Sequence, residues 1–367
     1  MSWLFGTEEV KTFPKTPVVR QPDPVASDIL LSDDLAIESL AATSDDVKWQ
    51  LEYPTAATEA FTFYITADSG IYVLAQMTCR LYGPNKEKFA QTLAPATTSF
   101  LLSDDKLSVT CEQFSINHNA ATGGYHILFN LGEEATVDAV FEPTDGLFKV
   151  NDGKSLYHET ETEGYIQTAY MPKAKVAGSI TFKGVKSDAK GSGMFLRAVQ
   201  CKPQCVQKFN FVNLQTANDA VMLYEFEMPK DGGYKASCVS IGAIVRNGKT
   251  LAVTTKNKSV FVQKQLDEDF SGYDVPTQLF YTWNGKTKET GEDVRIEMSL
   301  VQTNLVDKID VLAELPYLLR VFIQTFITAP FLYQWFEEVT AKVTVGSEEF
   351  EIRGKAFIEC SFLMAEY

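Results

Sequence analysis

The feature that most constrains this fold is a succession of short alternating runs that begins after Trp49. The runs are rich in β-branched and aromatic residues, as in 61–65 and 71–77, which flank an Asp-Ser-Gly turn signal at 68–70. An Asn-Gly pair at 247–248 separates two further runs and is a strong signal for a two-residue hairpin turn, and the run 283–286, Trp-Asn-Gly-Lys, predicts another hairpin tip. Strands that alternate with long helices are absent from the pattern. The sequence therefore predicts a mainly β fold of two tandem antiparallel β-barrels with a few short helices.

Length and composition divide the chain. At 367 residues it is too long for one ordinary core. Residues 1–45, interrupted by four prolines, are expected to be a flexible segment that includes a short amphipathic helix. We expect a first barrel at 46–186, a polar glycine-rich linker at 187–193 and a second barrel at 194–367. The 25 Phe and 15 Tyr favour strands that enclose an apolar space.

One apolar segment, 315–336, departs from the strand pattern. Pro316 suits the first turn of a helix, and Pro330 would end that helix. The helix between them would span about 21 Å at 1.5 Å per residue, which is short of the roughly 30 Å of a bilayer core. Polar residues recur every four positions opposite apolar ones. We interpret the segment as an amphipathic helix packed against a barrel rather than a membrane span.

Charge and cysteine usage limit the partners and the compartment. Acidic residues outnumber basic ones by 48 to 33, which argues against nucleic-acid binding and disfavours permanent attachment to an anionic membrane. The six cysteines are scattered and form no secreted disulfide framework. The first six residues lack the basic flank and the apolar run of a secretion signal. A cytoplasmic protein is expected.

The inventory of reactive residues is small. Cys201 and Cys205 are four residues apart, but the three histidines lie far away in the other half, so a zinc site is disfavoured. A redox role for the two thiols stays open, because reactivity depends on their exposure and pKa. Carboxylates are too numerous to nominate a catalytic pair. We expect no metal, no cofactor and no catalytic residue.

The order of several short motifs in both halves adds a resemblance. The motifs are Trp49-Gln50, Glu59 to Tyr64, Pro172-Lys173, Met194-Phe195, Phe209-Asn210-Phe211, Ile309 to Pro316 and Tyr333-Gln334. Together they resemble the fungal survival factor 1 family, whose members are tandem lipocalin-like proteins. The likeness covers most of the chain after about Trp49. It implies that each barrel is lipocalin-like.

The resemblance also implies a function. Such proteins look like ceramide binders that move the lipid from the endoplasmic reticulum to the early Golgi and support sphingolipid synthesis and survival under oxidative stress. A cytoplasmic location with peripheral contact to both membranes is implied, and a nuclear location stays open. In the family an N-terminal amphipathic helix contacts the membrane, which here points to Trp3, Leu4 and Phe5. This sequence departs from that pattern, because Glu8 and Glu9 follow at once.

A lipid carrier needs an apolar cavity with a few polar groups for the head. The bulky apolar residues in and near the 316–330 helix are the candidates for lining or gating it: Trp283, Leu319, Phe322, Phe326 and Trp335. Each could equally fill a solid core. Two other functions stay open. One is a hydratase-like enzyme for a long apolar substrate with an acid such as Glu225, Glu297 or His126, and the other is an interaction protein without a cavity. The sequence does not specify an oligomeric state.

Overall fold

The computed structural model describes residues 41–93, 99–229, 232–314 and 330–364, and antiparallel strands make up most of them. The predicted β class is confirmed. The strands form two large sheets, one in each half of the chain. The described part contains only short helices: three 3-10 turns at Ser44–Val47, Glu161–Glu163 and Pro203–Cys205, and one α-helical turn, α1, at Val311–Glu314. None of the helices in that part could cross a bilayer.

The first sheet contains thirteen strands in the first half of the chain. They are β1 Ala57–Ala67, β2 Tyr72–Ala75, β3 Thr78–Tyr82, β4 Lys88–Thr92, β5 Leu101–Leu102, β6 Val109–Thr110, β7 Phe114–Asn119, β8 Gly124–Asn130, β9 Ala135–Pro143, β10 Lys154–Leu156, β11 Tyr165–Phe182, β12 Val185–Asp188 and β13 Gly191–Cys201. Eleven of them follow the order β4-β3-β2-β1-β13-β11-β9-β8-β7-β6-β5. No pairing among the described residues joins β4 to β5, so this sheet is a half-barrel.

The second sheet contains nine strands. They are β14 Lys208–Gln215, β15 Ala220–Glu227, β16 Cys238–Arg246, β17 Lys249–Leu266, β18 Asp274–Lys286, β19 Asp293–Val301, β20 Leu305–Asp310, β21 Phe331–Val345 and β22 Glu348–Phe362. Their order is β19-β18-β17-β16-β15-β14-β22-β21-β20, and β19 also pairs with β21. That pairing closes eight strands into a barrel.

Side-chain alternation explains how each sheet forms its core. In β8, Tyr125, Ile127 and Phe129 face the core, while His126 and Leu128 face solvent. Successive strand residues point to opposite faces, so this half-buried pattern follows from the strand period of two. The strands at the contact between the two sheets, such as β1 and β13, are instead buried on both faces along much of their length.

The chain passes from the first sheet to the second later in the sequence than the expected domain boundary. The stretch 187–193, expected as a linker, covers the end of β12, a two-residue connection and the start of β13, and the chain changes sheets at 202–207. Its glycines allow close packing rather than flexibility. A Cβ on Gly191 would lie 2.2 Å from the Thr66 carbonyl oxygen. The small residues that resemble a linker in sequence are required here by a neighbouring strand.

Two predicted turns had opposite outcomes. The Asn247-Gly248 turn is confirmed, since both residues adopt positive φ (51° and 77°) between β16 and β17. The hairpin tip expected at 283–286 is wrong, because these residues lie within β18. Gly285 is there for close approach, since a Cβ would lie 2.8 Å from Cγ2 of Thr254.

An aromatic interface joins the two sheets. Tyr64 stacks on Phe211 with ring centroids 5.0 Å apart, and Tyr72 stacks on Phe357 at 4.7 Å. In β1 the neighbours of Tyr64, Phe63 and Ile65, point the other way into the half-barrel core. Because the outer face of β1 meets the second sheet, the middle of this strand, 61–65, is buried on both faces. The two halves therefore share one continuous buried region.

Candidate functional site

A cleft with a volume of about 260 Å³ lies between the two sheets. This is close to the lower end of the ~300–1,000 Å³ range of small-molecule sites. One side comes from the outward-facing residues of β1, β2, β3, β11 and β13, and the other from β15, β20, β21, β22 and α1. The apolar part of the lining includes Leu74, Ile166, Leu196, Ile309 and Leu332. Ala60 and Ala198, paired across β1 and β13, leave room between these larger side chains.

Polar side chains gather in one part of the cleft. The Arg80 Nη1 atom lies 2.8 Å from Asp307 Oδ2, and the Lys88 ammonium lies 2.7 Å from the other carboxylate oxygen. The Arg80 and Asp307 side chains are almost completely buried, and this ion pair bridges the two sheets. The Tyr82 hydroxyl donates to Asp307 and to the Gln334 side-chain oxygen.

Glu359 continues this polar network. Its carboxylate accepts hydrogen bonds from the Gln334 amide and, at 2.9 Å, from the Ser361 hydroxyl. Burial raises the pKa of Glu359, an effect that these hydrogen bonds and the positive charge of Arg80 partly offset. On the opposite wall, Thr62 donates to Gln76 at 3.2 Å. The cleft therefore combines apolar side chains with this polar network and with further polar side chains on the facing wall, a mixture that suits an amphiphile.

The structure places two predicted ligand residues in the closed barrel instead of the cleft. Trp283 is fully buried on its inner face and donates its indole N–H to the Met222 carbonyl at 3.0 Å. Trp335 is also buried inside and stacks on Tyr333. Both belong to the apolar cluster that fills the barrel. A ligand role for these two residues stays a prediction, because the packing alone accounts for their burial.

The Trp283 ring leaves no room for a side chain at position 242 in β16. A Cβ added to Gly242 would lie 2.4 Å from the Trp283 ring. We expect Gly242→Val to lower the free energy of unfolding by about 3 kcal/mol, because the overpacked indole must move. Chemical denaturation followed by circular dichroism measures this. Gly146→Val is the matched control, since nothing lies within 4 Å of that position. Equal stability of the two variants would contradict the packing described.

The remaining predicted residues cannot be placed. Leu319, Phe322 and Phe326 lie outside the described residues, as do Trp3, Leu4 and Phe5. The α1 turn leads into 315–329, and β21 begins directly after Pro330. The roles of these six residues stay predictions. Polar substitution of Phe322 and Phe326 is still expected to abolish lipid loading, which mass spectrometry of the folded variant would check.

The acids named for an enzyme are not brought together. His126 pairs with Asp138 at 2.8 Å on the exposed face of the half-barrel, and Glu297 pairs with Arg295 on the outside of the closed barrel. Glu225 is the one of the three that faces an interior. No group of three or more metal-ligating side chains occurs in the part of the chain that the structure describes.

The Cys201 and Cys205 thiols are free. Burial raises the pKa of each, so the thiolate that redox chemistry needs is disfavoured. Hydrogen bonding with Tyr165 and Tyr234 opposes this effect in part. The structure therefore gives no support to a reactive pair.

Comparison with known protein families identifies the family of this chain. The model of the Svf1 family matches residues 31–364, nearly the whole chain. This chain belongs to the Svf1 family. The Svf1 relatives include the ceramide-binding protein svf1 of Aspergillus fumigatus, which is 26% identical over 88% of this chain and 90% of its own. The ceramide-binding protein SVF1 of Candida albicans is 29% identical over 80% of this chain and 77% of its own.

Solved structures show the same fold at low identity. CghA, in a crystal structure with Sch210972, has a TM-score of 0.62 at 12% identity and covers 94% of this chain and 99% of its own. Kievitone hydratase from Nectria haematococca has a TM-score of 0.52 at 14% identity and covers 93% and 98%. Both matches span the two halves together. The predicted tandem lipocalin-like architecture of this Svf1-family chain is confirmed.

Proposed function

We propose that this Svf1-family protein binds ceramide in the cleft between its two sheets. The observation that carries the proposal is the cleft itself, with Leu74, Leu196 and Leu332 on its wall and Arg80, Gln334 and Glu359 at its polar end. The relatives are named as ceramide-binding proteins, and ceramide likewise has a polar part and an apolar part. Ceramide has an amide and hydroxyl groups at one end and two long hydrocarbon chains at the other.

The physical basis is the exchange of one apolar environment for another. Each CH₂ transferred from water to an apolar surface contributes about 0.8 kcal/mol, so a two-chain lipid leaves a membrane very unfavourably. Leu74, Leu196 and Leu332 on the cleft wall replace part of the lost contacts. Side-chain amides and hydroxyls at the polar end would satisfy the ceramide amide and hydroxyls, which otherwise remain unpaired in an apolar site.

A carrier fits the cleft better than an enzyme. The charged residues there are already engaged with one another, since Arg80 and Lys88 both pair with Asp307. Glu359, the remaining carboxyl, accepts two hydrogen bonds from neighbouring side chains. Glu225, the buried acid that a hydratase-like reaction would need, faces the closed barrel and not the cleft. The volume of the cleft also disfavours an interaction protein without a cavity.

We further propose that the bound ceramide moves from the endoplasmic reticulum to the Golgi through brief membrane contacts. The support is the family resemblance together with the net charge of −15, which disfavours permanent attachment to anionic lipid. A role in sphingolipid synthesis and stress survival would follow from this transfer.

Native mass spectrometry of the full chain purified from a eukaryotic host tests the binding. The expected result is a co-purifying mass that fragments as ceramide, with recovery of the unaltered lipid after extraction. An empty chain that also fails to extract ceramide from vesicles would contradict the carrier. A converted lipid product would instead favour the hydratase-like alternative.

A further inference from the structure

One acidic residue borders the open volume of the cleft. Of the side chains that line the described cleft, only Arg80 and Glu359 are charged. Arg80 is buried, and so is Gln334, the amide that donates to Glu359. Glu359 is only half-buried, although all of its printed partners are enclosed by protein. A head group that enters the polar end of the cleft would therefore meet this carboxylate.

The contacts of Glu359 determine what it can offer to a ligand. The Gln334 side-chain nitrogen donates to its Oε2 atom, and the Ser361 hydroxyl donates to its Oε1 atom at 2.9 Å. The two oxygens of a carboxylate have about four acceptor positions between them, so about two remain for a ligand. An ionised carboxylate has no donor of its own. Glu359 therefore presents an acceptor that requires a hydrogen-bond donor from the ligand.

Glu359 also sets the charge balance at this end of the cleft. Arg80 and Lys88 both pair with the single carboxylate of Asp307. Glu359 supplies a second negative charge, on which the positive charge of Arg80 acts. Two cations then lie beside two anions, so this end has no excess positive charge that would attract a phosphate. Removal of the charge on Glu359 would leave one cation in excess.

The head group of ceramide supplies the donor that Glu359 requires, because its hydroxyl groups are free. A site that accepts a hydrogen bond from a hydroxyl strongly disfavours an analogue without that hydrogen, since the enclosed acceptor then stays unpaired. A phosphate on the hydroxyl removes the donor. It also adds a charge of about −1.5 to −2 next to a carboxylate.

We propose that Glu359 determines the head-group specificity of the cleft. Its carboxylate accepts a hydrogen bond from the primary hydroxyl of ceramide, and it selects this lipid against the same lipid with a phosphate on that hydroxyl. This inference rests on the proposed ceramide site and adds the residue that discriminates within it.

Lipid extraction from mixed vesicles by the full chain tests the proposal. Phosphatidylcholine vesicles contain equal amounts of ceramide and ceramide 1-phosphate with the same acyl chain, and mass spectrometry measures both lipids in the recovered protein. The measurement is made at pH 8, because burial raises the pKa of Glu359. The unmodified protein is expected to load at least about tenfold more ceramide, which is the effect of one hydrogen bond to a charged group.

Two variants separate specificity from folding. Glu359→Gln keeps the shape and removes the charge, so the ratio of ceramide to ceramide 1-phosphate should fall about tenfold. Ceramide loading itself should change much less, because the Gln oxygen can still accept from the hydroxyl. A folding defect would lower both lipids together. The matched control is Glu297→Gln, a carboxylate on the outside of the closed barrel, which should keep the ratio. Circular dichroism confirms that each variant is folded.

A neutral lipid separates the hydrogen bond from the charge. Ceramide with a methyl ether at the primary hydroxyl is uncharged but has no donor at that position. The unmodified protein should load about tenfold less of this lipid than of ceramide. Equal loading of the two neutral lipids would mean that Glu359 does not bind this hydroxyl, and it would overturn the proposal.

The same extraction distinguishes a failure of this proposal from a failure of the proposed function. Equal loading of ceramide and ceramide 1-phosphate, or a ratio that Glu359→Gln does not change, would overturn the role of Glu359 and leave the cleft as the ceramide site. If the unmodified protein loaded neither lipid, the ceramide site itself would be contradicted, and the role of Glu359 with it.

Discussion

Replacing Asp307 with alanine is expected to lower the free energy of unfolding by about 3–5 kcal/mol, because it removes a buried negative charge that pairs with the buried Arg80 guanidinium. Arg80 is 5% exposed and Asp307 2% exposed at the side chain, so water cannot replace the lost carboxylate. Asp307 also accepts from Tyr82 and Lys88. These partners belong to the first sheet and Asp307 to the second. The substitution should therefore destabilise mainly the contact between the two sheets.

Urea unfolding followed by circular dichroism and tryptophan fluorescence measures this effect. The unmodified protein should unfold in a single transition. In the variant that transition should move to a lower urea concentration, or split into two as the halves uncouple. Asp293→Ala is the matched control, since both Asp293 and its partner Lys286 are exposed, and such a surface pair contributes little to stability. The double variant Arg80→Met with Asp307→Leu should recover much of the loss. A small effect of Asp307→Ala would mean that the ion pair does not hold the sheets together.

Filling the cleft should have the largest effect on function. Ala198 lies opposite Ala60 in the cleft, and both are small. We expect Ala198→Phe to reduce ceramide loading more than tenfold, because an aromatic ring would occupy much of about 260 Å³. The expected change in stability is much smaller, since the ring enters existing space rather than a packed core.

Quantitative lipid mass spectrometry of the purified variants measures loading per chain. Ala120→Phe is the matched control, because the same substitution then lies at an exposed turn between β7 and β8. It should load as the unmodified protein does. Normal loading of a folded Ala198→Phe variant would exclude the cleft as the ceramide site.

The strand pattern predicted the fold well because strand alternation is a local property. Tyr125, Ile127 and Phe129 carry the signal in residues only two apart. Glycine was the main source of error. Gly191 and Gly285 look like flexible or turning positions in sequence, yet each is small because a distant strand lies against it. Whether a glycine serves a turn or a close contact depends on its tertiary neighbours.

The cleft was not predictable in the same way. Its central ion pair joins Arg80 to Asp307, which are 227 positions apart. No short motif connects such residues, and each alone reads as a surface charge. Large aromatic residues, by contrast, were prominent in sequence, and Trp283 and Trp335 attracted the ligand assignment. The structure places both in the closed barrel, where packing explains their size.

Photo-crosslinking tests the central claim, that ceramide occupies the cleft, most directly. A ceramide with a diazirine in its acyl chain would be loaded and irradiated, and the labelled peptides would be sequenced. The account predicts labels in β1 and β13, on residues such as Ala60, Leu196 and Ala198. Labels confined to β17, β18 and β19, which line the closed barrel and not the cleft, would contradict it.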